Sequence, residues 1–436
     1  MRLVILVLSI GIGTSAVPAE ESGLVTPIQV PHLPLGLVTL QKTRAINLAV
    51  SPGAGAFRLA SDPPGRIWTV TDRGPVVDCS EERETIGPDD KAICAPDRRG
   101  KIYLLPGYVP SIYALDVNGD GTARFAEMIP LRGKSGKLLS GLTNPLGPQR
   151  TETGYTTEGR VLDTDPSGIE PGGLVRLADG TFWIAEKFGP SLLEVARDGQ
   201  VLRRLVPANL EPELKGADYA VEPAFPSILS LRAVARGFDA IAISPDERFL
   251  YVAMQNALAN PALEAYRHSP ATRIWKIERT SGRIVAEYVY RLDPPGNFPA
   301  DTSVAGRPLR QSDVRIAEIV AMGENRLLVL ERVRHGSRIF VATLSPGQEL
   351  PPPYDDEKTR PSLEELFPDV WEIAGIAPVK KMLLVDSERI KGIGGRLTAM
   401  AVLSPRELVL MSNNVYGVEG GRSQTFRLTF SAPVFQ

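Results

Sequence analysis

Histidine is scarce in this chain of 436 residues, which contains only His32, His268 and His335. Most zinc sites built on several histidines are therefore improbable. Basic residues (49) and acidic residues (51) nearly cancel, and the formal net charge is −2. No global field draws the protein to nucleic acid or to an anionic membrane. Beyond the N-terminus no apolar run approaches the ~20 residues that a transmembrane helix needs, so no membrane span is predicted.

Turn-forming residues, in contrast, are abundant, with 40 glycines and 38 prolines. Hydrophobic residues make up 43% and charged residues 23% of the chain, which is ordinary for a globular protein and excludes disorder and a collagen-like fold. The length alone suggests two or three domains, but all-β proteins built from repeats often form one long unit. The composition is typical of a turn-rich enzyme or binding protein, which we expect to be a monomer.

The N-terminus has the pattern of a secretory signal peptide. A positive start at Arg2 precedes an apolar run, and small residues around Ala19 suit a cleavage site. We therefore predict a signal peptide at residues 1–19 and a single mature domain at residues 20–436; an uncleaved anchor is the alternative. Export places Cys79 and Cys94 in an oxidising compartment, where a close pair is expected to form a disulfide rather than two free thiols. The predicted location is periplasmic or secreted.

Internal repetition dominates the mature chain. Residues 173–205 read as four antiparallel strands separated by Asp-Gly turns, and the same plan begins again near residues 56, 238, 316 and 397. These are five clear units, and a degenerate sixth is placed at residues 379–385. An early strand at residues 35–45 is expected to complete the last unit. Repeated four-stranded units indicate an all-β β-propeller; a β-sandwich is the alternative. All four tryptophans are expected to pack in the core.

Superposing the units on their second strands aligns polar residues at the strand ends. Three units place an acid before a base, and the other two place an amide there; further acids begin the first strands. Because these strand ends are neighbours in a hairpin, we expect the side chains to converge on one face of the ring; solvated strand ends are the alternative. The aligned residues are Asp72-Arg73, Glu186-Lys187, Gln255, Glu331-Arg332 and Asn413-Asn414 at the ends, and Glu170, Asp239 and Glu318 at the starts.

The chemistry of such a face follows from its residue types. Converging carboxylates suit Ca²⁺, so Glu170, Asp239 and Glu318 are candidate ligands. Arg73, Lys187 and Arg332 are candidates to hold an anionic substrate, together with the amides Gln255, Asn413 and Asn414. Asp72, Glu186 and Glu331 are the candidate catalytic carboxylates, because a cation and a basic clamp together stabilise charge during phosphoryl transfer.

A second calcium candidate is the segment 116–127, which matches the EF-hand loop pattern in full. Asp116, Asn118 and Asp120 would supply ligands, with glycine at the sixth position and Glu127 at the twelfth. The flanking residues read as strands, so helices on either side are improbable. The functional interpretation is a calcium loop at a hairpin tip, and the alternative is a solvated turn without metal.

Several of these motifs resemble the phytase-like family, often labelled "esterase-like activity of phytase". The resemblance lies in Asp72-Arg73-Gly74-Pro75, in residues 179–191 and 236–246, and in the residues around Glu331 and Asn413. It covers roughly residues 45–432 and implies a six-bladed propeller of four-stranded antiparallel blades related to calcium-dependent alkaline phytases. Family members tend to begin their first strands with an acid, whereas Gly172 and Thr398 stand at two such places here.

Two functions from different classes are compatible with these residues. The first is an exported hydrolase that acts on a phosphate ester, or on another ester, with possible dependence on calcium. The second is a non-catalytic periplasmic propeller that binds an anionic ligand or a protein partner through the same face. The missing carboxylates favour the second, and the three acid–base pairs favour the first. Calcium-dependent lactone hydrolysis is a third hypothesis, supported only by Asn413 and Asn414.

Overall fold

The structure is a computed structural model that describes residues 23–40, 44–86, 93–94, 97, 99–304 and 306–435. The predicted signal peptide lies outside these residues. The described chain is almost entirely β-structure, with α-helices only at Glu82–Thr85 and Leu263–His268. No described helix has the length and apolar character needed to cross a membrane. Short 3₁₀ helices lie at Cys79–Glu81, Glu211–Leu214, Ser227–Leu231, Pro295–Asn297, Gln311–Asp313, Pro352–Asp355, Leu363–Glu365, Pro368–Val370 and Val415–Gly417.

Five antiparallel sheets, numbered here as blades 1 to 5, form the body of the described chain. Each is given from its innermost to its outermost strand. Blade 1 contains Pro52–Phe57, Arg66–Thr71, Ser111–Val117 and Ala123–Pro130. Blade 2 contains Pro171–Arg176, Phe182–Glu186, Ser191–Val195 and Val201–Pro207, with Ala220–Phe225 added in parallel. Blade 3 contains Phe238–Ile243, Phe249–Met254, Ala271–Glu278 and Ile284–Arg291.

Blades 4 and 5 complete the set. Blade 4 contains Arg315–Ala321, Arg326–Arg332, Ser337–Thr343 and Lys380–Asp386. Blade 5 contains Leu397–Ser404, Glu407–Ser412 and Gln424–Thr429 from the C-terminal part of the chain, and Leu24–Ile28 from its N-terminal part. The innermost strands of neighbouring blades contact one another in the cyclic order 1, 2, 3, 4, 5 and back to 1. This is the ring arrangement of a β-propeller.

The number of blades differs from the expected six. The segment assigned to a degenerate sixth unit is the outermost strand of blade 4, Lys380–Asp386, separated from its neighbour by the long insertion 344–379. The strand that completes the last blade is Leu24–Ile28, and not residues 35–45, which belong to a separate hairpin of Pro34–Leu40 and Arg44–Ala49. The sequence suggested a sixth unit at residues 379–385 because the long insertion within blade 4 resembles a boundary between two units.

Smaller sheets lie outside the five blades. Val76–Asp78, Lys101–Tyr103 and Gly154–Tyr155 form a three-stranded sheet outside blade 1. Ser303–Val304 pairs with Arg307–Pro308. The predicted disulfide between Cys79 and Cys94 is confirmed, with both residues buried. It therefore staples the loop that follows the three-residue strand ending at Asp78.

Apolar clusters fill the spaces between adjacent blades. Trp183 of blade 2 and Trp275 of blade 3 share one such cluster with Phe238, and both are less than 2% exposed. Trp68 and Trp371 are also buried, so the prediction that all four tryptophans pack in the core is confirmed. Burying a large apolar side chain contributes about 1.5–3 kcal/mol, so these clusters hold each blade against the next.

Within blade 2, the tight Asp179-Gly180 turn, with Gly180 at φ +93°, connects the first strand to the second.

Strand direction determines where the functional residues gather. Every innermost strand starts, and every second strand ends, on the same side of the ring, which we call the central face. The long connections at residues 72–110, 131–170, 256–270 and 292–314 all join strands on this side, as expected for loops that cap one face. The central face is therefore the candidate site.

Candidate functional site on the central face

One residue from each blade, at or directly after the end of the second strand, contributes to a column of polar side chains on the central face. We call this set the first column. In blades 2 to 5 the last paired residues of these strands are Glu186, Met254, Arg332 and Ser412, and strand pairing makes Glu331 of blade 4 equivalent to Glu186. In blade 1 the equivalent residue is Thr71, one position earlier than the sequence superposition assumed. The column is therefore Asp72, Lys187, Gln255, Arg332 and Asn413.

Glu186 and Glu331, which were predicted as catalytic, lie beneath this column and are fully buried. Glu186 accepts a hydrogen bond of 2.7 Å from Arg204 and others from the backbone amides of Phe188 and Gly189. Glu331 accepts hydrogen bonds from the Tyr290 hydroxyl at 2.7 Å and from Lys381. Because each carboxylate is buried and already accepts several hydrogen bonds from within the protein, this geometry favours a structural anchor as the role of the acid in this repeated pair.

Carboxylates of blades 1, 2 and 3 surround Lys187. Its Nζ lies 2.7 Å from Asp72, 3.9 Å from Glu170 and 3.8 Å from Asp239. The structure therefore brings together four of the predicted residues, one of them a cation already shared by three acids. Burial opposes its charge, but these acids raise the pKa of Lys187 above its usual value.

Arg73 points away from the opening into a buried network. It is 3% exposed, lies 2.5 Å from Glu152 and 3.2 Å from Glu170, and donates through Nε to the Gly141 carbonyl at 3.0 Å. The guanidinium also packs on the Phe188 ring. Its role as a substrate-binding residue stays a prediction, which this geometry does not favour because the guanidinium is paired within the protein. This pairing positions Glu170.

Glu170 carries a perturbed carboxyl group. Its side chain is 10% exposed, and burial outweighs the attraction of Arg73 and Lys187, so its pKa rises to about 7. Asp72 and Glu152 add to the rise because their negative charges repel the ionised form of Glu170. A carboxyl group with a pKa near neutrality can donate or accept a proton at working pH, which makes Glu170 a proton-transfer candidate.

Asp239 connects the acidic side of the face to its basic side. Gln255 donates its side-chain amide to Asp239, and the amide oxygen of Gln255 accepts a hydrogen bond of 2.7 Å from Arg236. Gln255 therefore serves as a bridge between a carboxylate and a guanidinium. The side chain of Asp239 is 7% exposed, so it is accessible only from the central opening.

Blades 3, 4 and 5 present an arginine cluster, which we define as Arg236, Arg315, Arg332 and Arg396. Arg315 faces Arg332 directly across the strand pair of blade 4, and Arg396 immediately precedes the innermost strand of blade 5. Within the described residues, Arg236, Arg315 and Arg332 form no ion pair, whereas Arg396 binds Glu419 at 2.8 Å. Sequence reasoning found Arg332 alone. Arg236 and Arg396 stand just before innermost strands and Arg315 begins one, positions where the sequence was searched only for acids.

Mutual repulsion and burial disfavour the charged form of two arginines of this cluster. Burial, followed by the charge of Arg396, lowers the pKa of Arg332 to about 10. Burial and the charges of Arg236 and Arg332 bring the pKa of Arg315 well below its usual value. The Nε atoms of Arg315, Arg332 and Arg396 are buried and have no hydrogen-bond partner within the described structure. Such groups cost folding free energy unless an anion neutralises them.

Glu318 does not belong to the face. It lies one residue beyond the bulge at Ala317, whereas Asp239 occupies the bulge position of its own strand. The fully buried carboxyl crosses the central channel and accepts a hydrogen bond of 2.8 Å from the backbone amide of Ala56 in blade 1. Burial raises its pKa well above the usual value. Glu318 closes the channel and is not placed to bind a metal on the face.

The EF-hand-like segment lies at the opposite side of the ring, at the hairpin tip between the two outer strands of blade 1. Asp116 is engaged by Arg66 and by Arg124. Asn118 binds Thr122 at 2.9 Å, and Asp120 accepts hydrogen bonds from the same residue. The side chains stabilise a turn, as in the metal-free alternative. Within the described chain no three Asp, Glu, His or Cys residues are placed to hold one metal ion.

Asn413 and Asn414 directly follow the second strand of blade 5. Asn413 occupies the first column, and its side-chain oxygen accepts a hydrogen bond of 2.6 Å from the Val415 amide. The backbone amide of Asn414 donates to Ser51 at 3.2 Å, and its side-chain oxygen is buried without a hydrogen-bond partner in the described structure. Both are half-buried at the rim beside the arginine cluster.

Comparisons with known proteins agree with the sequence resemblance. Residues 56–414 match the phytase-like family, described as esterase-like activity of phytase. An uncharacterized secreted protein of Arthroderma benhamiae is 26% identical over 166 residues, a match that covers 34% of this chain and 31% of the relative. The chain thus spans about a third of that relative's length.

Solved structures that resemble the chain are distant. The PQQ-bound aldose sugar dehydrogenase from Streptomyces coelicolor is 11% identical, with 95% of this chain and 99% of that chain covered and a TM-score of 0.31. A luciferin-regenerating enzyme is 10% identical, with 94% and 96% covered and a TM-score of 0.34. Likeness at this level says nothing about the function of the present chain.

Proposed function

The chain belongs to the phytase-like family, and we propose that it is an exported hydrolase that binds the anionic group of a phosphate ester, or of another ester, on the central face. The arginine cluster holds the anion, and the carboxyl groups beside it act on the scissile bond. The disulfide and the secreted relative support export, to the periplasm or beyond it.

The observation that carries the proposal is a pair of arginines, buried Arg332 and half-buried Arg315, that form no ion pair with any acid among the described residues. Arg315 and Arg332 repel each other and leave Nε atoms unsatisfied, a combination that destabilises the fold. Binding sites accept such costs because the ligand removes them. A phosphoryl oxyanion would accept hydrogen bonds from these guanidinium groups and neutralise their charge.

The acidic half supplies the remaining chemistry. Asp72 and Asp239 accept hydrogen bonds from Lys187 and Gln255 respectively, so both carboxylates are oriented toward the opening. Either can accept a proton from a water molecule, and Glu170 is the group best suited to return one to the leaving alcohol. No step of this scheme requires calcium, whose participation stays a prediction to be tested with a chelator.

A non-catalytic function is the second candidate, and one observation favours it. Each of the three carboxylates beside Lys187 already shares that cation, which reduces its strength as a base. The protein would then bind an anionic ligand at the arginine cluster without converting it. The two functions share the site and differ only in turnover.

The experiment measures binding and turnover on the same variants of the mature chain. Arg332→Gln should weaken the binding of inorganic phosphate by at least about tenfold, the loss expected for one charge-assisted hydrogen bond. Hydrolysis of a panel of phosphate and carboxylate esters, with added Ca²⁺ or chelator, should fall with it. Arg326→Gln is the matched control, because Arg326 starts the same strand at the opposite, exposed end.

Stability separates a binding role from a structural one. Because Arg332 is buried among like charges, Arg332→Gln should leave the melting temperature unchanged or raise it. Saturable phosphate binding without turnover of any ester would establish the non-catalytic candidate. Failure of the wild-type protein to bind phosphate, or equal binding by Arg332→Gln, would refute the anion site.

A further inference from the structure

A histidine–aspartate pair lies beside the arginine cluster, and none of the roles above uses it. His335 Nδ1 lies 2.6 Å from Asp301 Oδ1, and the same carboxylate accepts hydrogen bonds from the backbone amides of His335 and Gly336. Asp301 is 2% exposed at its side chain, whereas the ring of His335 is 65% exposed. A buried acid therefore holds an exposed imidazole by one hydrogen bond and the backbone of its turn by two more.

The position of His335 follows from the strand pairing of blade 4. Arg332 pairs with Ser337, and the four residues between them form a tight turn closed by a hydrogen bond of 2.9 Å from the Val333 amide to the Gly336 carbonyl. His335 is therefore three residues from Arg332 and on the central face. The turn therefore brings the backbone of His335 close to that of Arg332.

A second contact fixes the turn against blade 5. A Cβ atom added to Gly395 would lie 1.3 Å from the carbonyl oxygen of His335, so only glycine permits this approach. Ser337 also donates its hydroxyl to the Gly395 carbonyl. Because Gly395 directly precedes Arg396, the backbone of His335 lies next to chain segments that carry two members of the arginine cluster, Arg332 on its own blade and Arg396 on the next.

The hydrogen bonds also select the tautomer. An ionised carboxylate only accepts hydrogen bonds, so Asp301 holds the proton of His335 on Nδ1 and leaves the lone pair of Nε2 available. The same division of roles orients the base in hydrolases with an Asp–His pair. The other described pairing of a histidine with an acid, His268 with Glu264, is exposed on both sides and lacks a buried orienting group.

We propose that His335 is the general base of the ester hydrolysis, with Asp301 as its positioning residue. Nε2 accepts a proton from a water molecule as the water oxygen bonds to phosphorus. The bond from phosphorus to the alcohol oxygen breaks, and that oxygen takes its proton from Glu170, the acid named above, while the proton on Nε2 returns to Glu170 through solvent. Ester and water thus become phosphate and alcohol without any redox partner. This inference rests on the proposed function, and it identifies His335 rather than Asp72 or Asp239 as the base.

The first test asks whether phosphate at the arginine cluster contacts the ring. The chain has three histidines, so the mature protein labelled with ¹⁵N-histidine gives few ring signals, which single variants assign. Inorganic phosphate should shift the His335 signal, leave that of His268 unchanged, and have no effect in Arg332→Gln. The His335 signal should report a proton on Nδ1, and Asp301→Asn should alter this tautomer. A His335 signal unmoved at saturating phosphate would overturn the assignment whatever the activity.

The second test measures turnover. Asparagine can still donate to Asp301 but cannot act as a base, so His335→Asn should lower kcat by about 10²-fold or more and leave phosphate affinity and melting temperature unchanged. His268→Asn is the matched control and should retain full activity. Wild-type kcat in His335→Asn would sink the general-base assignment and leave the proposed hydrolase standing. No turnover by the wild-type protein would instead refute the hydrolase, and with it any catalytic role for His335.

Discussion

At the scale of single residues, two side chains of the same type have different roles in this propeller. Glu186 and Glu170 are both buried acids of blade 2, but Glu186 is paired with Arg204 and with several donors, whereas Glu170 shares its cations with other carboxylates. The first is therefore an anchor, and the second holds a proton near neutral pH. Neighbouring charges, and not residue type, decide which acid takes part in chemistry.

Glu170 makes the stability of the protein dependent on pH. Its pKa is about 7 in the folded protein against an ordinary value of 4.5, so between these values the folded state binds more protons than the unfolded state. Its contribution is complete below pH ~4.5 and is lost as the pH rises through 7. The shift corresponds to about 3 kcal/mol.

Glu170→Gln should remove this loss, because glutamine cannot ionise. We expect the free energy of unfolding of the variant, relative to the wild type, to increase between pH 5 and pH 8 in urea titrations. Glu222→Gln, at a half-exposed position of the outer strand of blade 2, should keep the wild-type dependence on pH. If the free energies of unfolding of Glu170→Gln and of the wild type changed with pH in parallel, the raised pKa of Glu170 would be contradicted.

At the scale of elements, a bulge in each innermost strand shapes the ring. One residue is left unpaired near the start of the strands of blades 2 to 5, at Gly172, Asp239, Ala317 and Thr398. A bulge re-aims the side chain of the unpaired residue. A Cβ added at Gly172 would lie 2.7 Å from the Cα and the carbonyl oxygen of Asp239. The acid that the family pattern leads one to expect at this place has no room here.

Gly172→Ala should therefore destabilise the protein by about 1–3 kcal/mol, the usual cost of overpacking, measured by urea unfolding. Gly119→Ala is the control, because no atom lies within 4 Å of the added methyl group at that hairpin tip. It should be neutral or slightly stabilising. Equal stability of the two variants would show that blades 2 and 3 can separate at no cost.

At the scale of the whole molecule, the ring is closed by strands from both ends of the mature chain. Leu24–Ile28 forms the outermost strand of blade 5, paired with Gln424–Thr429. Ile28 is 5% exposed and packs with residues of blades 1 and 5, including Ile67 and Val409. The seam between the first and last blades therefore depends on a strand that directly follows the predicted signal peptide. Closure of this seam therefore involves both Leu24–Ile28 and Gln424–Thr429.

Ile28→Ala should lower the free energy of unfolding by about 2–4 kcal/mol, the range for an isoleucine truncated in a core. Leu24→Ala, in the same strand but 67% exposed, should change it by less than about 0.5 kcal/mol. Chemical denaturation of the mature chain measures both. A loss as small for Ile28→Ala as for Leu24→Ala would mean that the strand does not contribute to closure.

The sequence by itself determined the repeating four-stranded unit, the disulfide and the family, because each depends on local patterns of turns, alternation and spacing. It also identified Lys187, Arg332 and Asp239, which stand at equivalent ends of well-aligned strands. Only the tertiary structure decided the number of blades and the register of blade 1, where Asp72 and not Arg73 reaches the face. The arginine cluster is assembled from three blades that are distant in sequence, and its unsatisfied charge exists only once the ring has formed.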